Sequence, residues 1–322
     1  MSRIADCLTL SDDDLAFLRL TCDLFPNAES PLRYLEDDER EPEAVEVVFA
    51  SLAERGYLNP QRSGASQPLL DRLTPVSECH ARVTFRSAGE QNRSFYAAGT
   101  TMVEYRRIGH EHQFGPARGE AALAAELAQS FKPSKAKEPL SVRMSPGDYL
   151  VFAVFARDLR AKPAPSDDAT NPMSLEEVLA YFDEPESKQV RAPTDESWEA
   201  SIHALTRLGV LERQGDSHGL KKRWHPLARE IVADRQHVIS RFDYLDEQWL
   251  VREVSLYPTR DSVFRFGSAP DGAVVIEELL PVALANVVAG VVGTLPNLLN
   301  PEAPPTLKHP LLGAGGRLRS HG

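Results

Sequence analysis

One short phrase occurs twice in this chain, and that doubling constrains the fold more than any other feature. Near the end of an amphipathic stretch the sequence runs Leu52-Ala-Glu-Arg-Gly-Tyr-Leu58, and about 150 residues later Leu205-Thr-Arg-Leu-Gly-Val-Leu211. Each phrase sets a glycine just past a periodic apolar run, where a helix stops. Several β-rich runs follow each copy, then a helix rich in alanine, leucine or valine. A spacing this long signals a doubled folding unit rather than a short solenoid repeat.

The rest of the chain divides around the two copies. Ser11-Asp-Asp-Asp14 predicts an N-cap with acid in the first turn. Leu15, Leu18, Cys22 and Phe25 then share one helical face. Pro26 ends that helix, and a second opens at Pro42, with Val45, Val48, Phe49 and Leu52 as its stripe. Residues 61–68 read as loop. Periodicity then changes to two over Arg82–Arg86, Ser94–Ala97, Met102–Tyr105 and His112–Phe114, an antiparallel meander. A helix over 121–131 closes the unit. Residues 133–139, rich in lysine and proline, read as a linker.

The second half repeats the plan. Ser145-Pro-Gly-Asp148 caps a helix, and Ser174-Leu-Glu-Glu177 forms a capping box ahead of Leu175, Val178, Leu179 and Phe182. Thr194 caps a helix bearing Trp198, Ile202 and Leu205. Strands are predicted at 238–244, 249–257, 262–266 and 273–276, then a helix over 278–292. The expected fold class is α+β and pseudo-duplicated. Each half holds winged-helix-like helices, an antiparallel β-meander and a closing helix. The division is 1–140, 141–295 and a Pro/Gly-rich tail at 296–322.

Composition narrows the function classes. The 322 residues carry 47 acids against 36 bases, for a net charge of −11, so a duplex-DNA partner is disfavoured. The three widely spaced cysteines, Cys7, Cys22 and Cys79, suit a reducing, cytoplasmic setting. The most apolar stretch, 279–292, is short and broken by Pro281, Asn286 and Gly290, which argues against a membrane span.

Catalytic and metal signatures are missing from the sequence. It holds no Gly-x-Ser-x-Gly elbow, P-loop or His-Glu-x-x-His. His110-Glu-His112 is the densest metal-like cluster, but it wants further ligands, and a solvated turn after Gly109 is the better reading. The glycines at 313–316 lack the lysine of a phosphate loop. The acidic run 36–39 lacks the glycine turn of an EF-hand. The expectation is therefore no enzyme, no cofactor and no metal. What remains is a protein-binding role, for which Phe95, Tyr96, Tyr105, Trp249 and Phe264 are the candidate anchors. The competing assignment for those five is the core, where aromatic residues at strand spacing usually lie.

With Leu52-Ala-Glu-Arg-Gly56 closing an early helix, Pro68-Leu-Leu-Asp-Arg-Leu-Thr-Pro75 leading into a strand, the meander over 83–114 and the helix 121–131, the chain resembles the EspG-type chaperones of type VII secretion. The resemblance spans Leu8 to Val292. It implies a cytosolic, non-enzymatic chaperone of two pseudo-symmetric halves, each with a sheet and helices, that keeps an aggregation-prone helical secretion substrate soluble. The polar insert 162–172 and the Pro-rich tail depart from the pattern, and no substrate-binding residue carries over by motif. The alternative is a DNA-binding regulator with tandem winged helices, its wing at 212–224 and Lys221, Lys222 and Arg223 facing phosphate. Acids on both third helices (Glu43, Glu46 and Glu54; Asp195, Glu196 and Glu199) speak against it.

Overall fold

A computed structural model of the chain describes residues 6–21, 24, 26–34, 42–59, 64–89, 92–161, 172–183, 195–245 and 248–294. The expectations for Cys22, Phe25, Thr194, the acidic run 36–39, the insert up to residue 171 and the tail from 296 lie outside the described residues, as do those for the side chains of Glu43, Leu179, Phe182, Asp195 and Glu196. The fold is α+β.

The first half begins with strand β1 (Leu8–Ser11), which runs directly into helix α1 (Asp12–Thr21). Helix α2 (Pro42–Glu54) follows, then a small hairpin of β2 (Leu58–Asn59) and β3 (Gly64–Ala65), and helix α3 (Gln67–Ser77). The meander comprises β4 (Ala81–Arg86), β5 (Arg93–Ala98), β6 (Thr101–Ile108) and β7 (Glu111–Phe114). A two-residue strand, β8 (Arg118–Gly119), leads into α4 (Glu120–Gln129).

The second half runs β9 (Ser141–Met144), α5 (Pro146–Ala161), α6 (Leu175–Asp183) and α7 (Asp195–Arg207). Then come the hairpin β10 (Leu211–Gln214) and β11 (Ser217–Leu220), a 3-10 turn at Lys222–Trp224, and α8 (His225–Val232). Strands β12 (His237–Leu245), β13 (Gln248–Pro258), β14 (Val263–Ser268) and β15 (Val274–Glu278) precede α9 (Pro281–Val292).

The expectation of a separate sheet in each half is corrected. One antiparallel sheet runs β1-β7-β6-β5-β4-β12-β13-β14-β15-β9, with β8 beside β6. The two meanders join where β4 pairs with β12, Arg82 opposite Phe242 and Arg86 opposite Val238. The order is the same read outward from that seam in either direction: four meander strands, then the strand that opened the half. Joining them removes two open sheet edges, which otherwise invite aggregation.

Local chemistry repeats along with topology. After β1, the Ser11 N–H donates to Asp14 Oδ2 at 2.9 Å and the Asp14 N–H donates back to Ser11 Oγ at 3.1 Å. After β9, Ser145 and Asp148 make the same reciprocal pair, at 3.1 Å and 3.1 Å. Such a box satisfies two backbone donors that a helix start leaves unpaired. At the ends of α2 and α7, Gly56 and Gly209 adopt φ of 74° and 72°. The Tyr57 N–H then reaches Leu52 O at 2.9 Å, and the Val210 N–H reaches Leu205 O at 2.9 Å. A residue with a Cβ is strained at that positive φ.

Strand alternation sorts the core into three clusters. Val83, Phe85, Phe95, Ala97, Ile239, Val254 and Leu256 face α4 and α9, meeting Leu123, Leu127, Leu284 and Val288. On the opposite face, Tyr96, Val103, Tyr105 and Phe114 pack under α1, α2 and α3. Phe264 and Ile276 pack under α5 to α8 around Phe152, Trp198 and Trp224. One sheet face therefore carries helices at its centre, and the other carries them on its two flanks.

Several sequence expectations need correction. Residues 68–75 lead into strand β4 as expected, and they do so as most of helix α3, an element not expected from the sequence, with Pro68 in the first turn where its missing N–H costs nothing. Residues 133–139 are not a free linker: Ser134 is buried, its N–H donating to Leu279 O at 3.0 Å and its hydroxyl to Glu278 at 2.5 Å. His112 is not in a solvated turn. It lies on β7, 1% exposed, with Nε2 2.6 Å from Asp12 Oδ1 and Nδ1 2.8 Å from the Tyr105 hydroxyl. Because a carboxylate only accepts, Nε2 carries the proton and Nδ1 accepts from Tyr105.

Candidate functional site

Among the described residues, the strip of sheet between the two flanking helical packs is left open. It lies on the face away from α4 and α9, at the seam. Arg82 and Thr84 of β4, Phe242 and Tyr244 of β12, and Trp249 and Val251 of β13 are half-buried there. They share that face because Ala81, Val83, Ile239 and Val254 alternate with them into the core beneath α4 and α9.

The aromatic end of this strip forms a groove of about 460 Å³. Its floor is Arg82, Phe242, Trp249 and Val251, and one wall is the segment 28–34. The Phe242 and Trp249 rings meet edge to face with centroids 6.3 Å apart, and Tyr244 lies 5.1 Å from Trp249. The Arg82 guanidinium sits 4.8 Å from the Phe242 ring centre, a cation–π contact that holds both side chains in place. The wall is pinned at its base. Asn27 Nδ2 donates to Cys79 O at 2.6 Å, and the Ser30 hydroxyl donates to Val76 O at 2.8 Å. Beyond those anchors Tyr34 is 69% exposed. Cys79 lies beneath the groove, and burial, aided by Glu29, pushes its thiol up to about 11, so it stays a neutral apolar contact.

The far end of the strip is polar. Glu253 accepts from the Ser240 hydroxyl at 2.8 Å and faces Arg86 at 3.8 Å. The open strip thus grades from aromatic to charged along the three strands β4, β12 and β13.

The five sequence-derived anchors divide unevenly. Phe95 (0% exposed), Tyr96 (8%), Tyr105 (8%) and Phe264 (2%) are core residues. Phe95 faces α4 and α9, Tyr96 and Tyr105 lie under α1 to α3, and Phe264 lies under α5 to α8. Trp249 is in the groove, and Tyr96, though mostly covered, also lines it. Phe242, Tyr244 and Arg82 share that surface and were not singled out from sequence. Their alternation marked them as one strand face, but nothing local tells a strand at a covered flank from one at an open seam.

A buried ionic clasp lies on the other face, behind the groove. Arg241 of β12, 0% exposed, donates to Asp243 Oδ1 at 2.7 Å, to Glu120 Oε1 at 2.7 Å and to the Thr294 hydroxyl at 2.8 Å, and also to Val292 O. Arg252 donates to Asp243 Oδ2 at 3.1 Å and to Gly290 O at 2.8 Å. Burial alone would raise the Glu120 pKa. The Thr294 hydroxyl and amide together with Arg241 outweigh it and hold the carboxyl below its ordinary value. The clasp fixes the end of α9 and the start of α4 against the seam strands.

Two other depressions are shallower in chemistry. The one beside α8 and the β13–β14 turn mixes Arg223, Arg229, Glu230, Asp261 and Glu278. Its Glu278 is already held by Ser134, Ser262 and the Leu140 N–H. Another lies between α3 and the β5–β6 turn. Among the described residues no three His, Cys, Asp or Glu side chains are grouped to hold a metal ion, and no helix is long and apolar enough to cross a membrane.

No protein-family model matches the chain, and no curated protein matches it in sequence. Among solved structures it is similar to the Mycobacterium tuberculosis type VII secretion system chaperone EspG5 in complex with PE25-PPE41 dimer, at 12% identity and a TM-score of 0.47, over 90% of this chain and 97% of that chain.

Proposed function

We propose that this protein is a non-enzymatic, cytoplasmic chaperone or adaptor that holds a partner protein in the open groove of its central sheet. The observation that carries this reading is the groove itself: Phe242, Tyr244, Trp249 and Arg82 converge on the uncovered strip at the seam. Aromatic and arginine side chains in a desolvated depression are the usual energetic centre of a protein interface. The pattern of elements shared with EspG-type chaperones points the same way and favours a helical secretion substrate as the partner.

The two halves, 1–140 and 141–295, are in this reading an internal duplication. The matched serine–aspartate caps and the matched glycine stops support it. So does a strand order that mirrors about β4 and β12. Doubling places the groove at the junction, where the first half contributes β4 and the second β12 and β13 to its floor.

The test is affinity capture of the tagged protein from its native cells, wild type beside Trp249→Ala. The reading expects a stoichiometric protein partner that the variant loses. Capture of nucleic acid that falls away as salt rises, unaffected by Trp249→Ala, would instead favour the tandem winged-helix regulator, acting through the β10–β11 hairpin and the exposed Lys222 and Arg223.

A further inference from the structure

The two ends of the sheet carry equivalent strands, β1 and β9, and only one of them is closed by its own half. At β1 the Asp12 N–H donates to His110 O at 3.2 Å, so Leu8, Leu10 and Asp12 bond toward β7 while Thr9 and Ser11 turn their backbone groups outward. At β9 the Glu278 N–H donates to Leu140 O at 2.7 Å, so Leu140, Val142 and Met144 bond toward β15 while Ser141 and Arg143 turn theirs outward. The matched caps align Ser11 with Ser145, and with them Thr9 with Arg143 and Asp14 with Asp148.

The first half closes its edge with an arginine. Arg55, the residue before the Gly56 stop, donates from Nη1 to Thr9 O at 3.3 Å and from Nη2 to Asp14 Oδ1 at 2.8 Å. Thr9 and Ser11 are half-buried there and Asp14 is buried. In the second half the residue before the Gly209 stop is Leu208, which has no side-chain donor and is 43% exposed. Ser141, Arg143 and Ser145 are exposed, and Asp148 is half-buried. Among the described residues the Asp148 carboxylate accepts only from the Ser145 N–H, and nothing caps the outward N–H and C=O of Ser141 and Arg143. The Arg143 guanidinium is itself drawn to Asp271 on the β14–β15 turn.

We propose that the outer edge of β9 takes up an extended segment of a protein partner, its main chain pairing with Ser141 and Arg143 and an arginine or lysine at its end reaching Asp148. This surface lies three strands beyond β13 in the sheet order, apart from the groove. In strand addition the open backbone groups supply affinity and side chains supply choice. Here the choice falls to Asp148. It holds the Ser145 N–H, the next outward amide after Arg143, so its carboxylate stands where an added strand runs out. At the other end Pro139 has no N–H to offer, which limits the segment to about the four residues of β9. A second copy of β9 is a poor complement, because its one cation, Arg143, is already engaged by Asp271.

The test uses the full chain and two disulfide-closed β-hairpin peptides that differ at one end of their free edge, arginine in one and glutamate in the other. A closed hairpin presents a preformed strand. Amide hydrogen exchange on the chain alone is expected to be fast at Ser141 and Arg143 and slow at Val142 and Met144. Fluorescence anisotropy should show the arginine hairpin binding about tenfold more tightly than the glutamate one, the scale of one charge-assisted hydrogen bond. Asp148→Asn keeps an oxygen for the Ser145 N–H and should erase that preference. Arg143→Pro removes one outward N–H while leaving the ladder to β15 intact, and should lose both hairpins. Arg143→Thr keeps that N–H and should still bind both. No binding by the wild type, equal binding of the two hairpins, or binding that survives Arg143→Pro would overturn the proposal. So would slow exchange at Ser141 and Arg143 in the chain alone, since another part of the chain would then cover the edge. A dimer in light scattering that Arg143→Pro dissociates would overturn it too, with a second copy as the occupant.

Discussion

Arg241 and Glu120 meet at 2.7 Å, and this one contact ties a seam strand of the second half to the helix that closes the first. Both are withdrawn from solvent, with side-chain exposures of 0% and 14%. Two charges taken out of water in this way gain little net stability as a pair. Removing one strands the other, which costs about 3–5 kcal/mol. Arg241→Met should therefore lower the unfolding free energy by that amount, and the urea midpoint by that amount divided by the m-value. Replacing both, in Arg241→Met with Glu120→Gln, should recover part of the loss. Chemical denaturation of the single and double variants measures it, and a fully additive double variant would mean that the two side chains do not interact.

Acid should loosen the molecule in two stages. Burial holds the neutral form of His112 and lowers its pKa from the ordinary 6.5. The unfolded chain then takes up a proton that the folded one resists, so stability is full above about 6.5 and declines as pH falls toward the folded value. Asp12 is pushed up by burial but held lower overall by His112, His110 and Arg107, and Glu120 is lowered by Thr294 and Arg241. Their contributions are full above the unfolded values of 3.8 and 4.5 and vanish as pH falls through the folded ones. Urea midpoints measured from neutral pH downward should fall first below about 6.5 and more steeply below about 4.5. His112→Phe should shrink the first stage, to which His80 and His218 also contribute, and weaken the Asp12 part of the second while leaving the Glu120 part.

Much of this fold is legible in the sequence because its signals are local. The Ser11 and Ser145 caps, the stops at Gly56 and Gly209 and the alternation of Val83 and Phe85 against Arg82 and Thr84 each need only a few neighbouring residues. What escapes is short or long-range. Leu8-Thr-Leu-Ser11 and Ser141-Val-Arg-Met144 alternate, but four residues running straight into an N-cap carry too little periodicity to separate from the helix that follows. Fusion of the two meanders rests on the pairing of β4 with β12, about 160 residues apart, and no local pattern encodes it. The same limit hid the groove. Tyr105 and Trp249 are both aromatics at strand spacing, and only the placement of α1 to α3 over one of them makes it core.

The doubled glycine stop should respond equally in both halves. Gly56 has no atom within 4 Å of an added Cβ, and Gly209 meets only the far end of Lys221 at 3.6 Å. The cost of alanine is then the positive φ alone, about 1 kcal/mol at each site. Matching losses for Gly56→Ala and Gly209→Ala in thermal or chemical denaturation would support equivalent stops. A cost near zero at one of them would mean that its helix end relaxes out of the left-handed turn.

The three tryptophans report on the groove without any knowledge of the partner. Trp198 and Trp224 are 2% and 1% exposed, while Trp249 is half-buried on the open strip. Acrylamide should therefore quench one emitting population readily and leave a blue-shifted remainder, and Trp249→Phe should remove the quenchable part. A partner seated in the groove would desolvate that same indole, shifting its emission to the blue and protecting it from acrylamide. Truncation of such an anchor, as in Trp249→Ala, costs about 2 kcal/mol or more of binding energy, a loss of some thirtyfold in affinity. The fold should survive that change, because the side chain lies on the surface of the sheet rather than within any of the three clusters. Retention of partner binding by a folded Trp249→Ala chain would place the interface elsewhere on the molecule. If the partner instead protected Trp249 yet still bound the variant at full strength, the indole would be covered by the interface without contributing to its affinity.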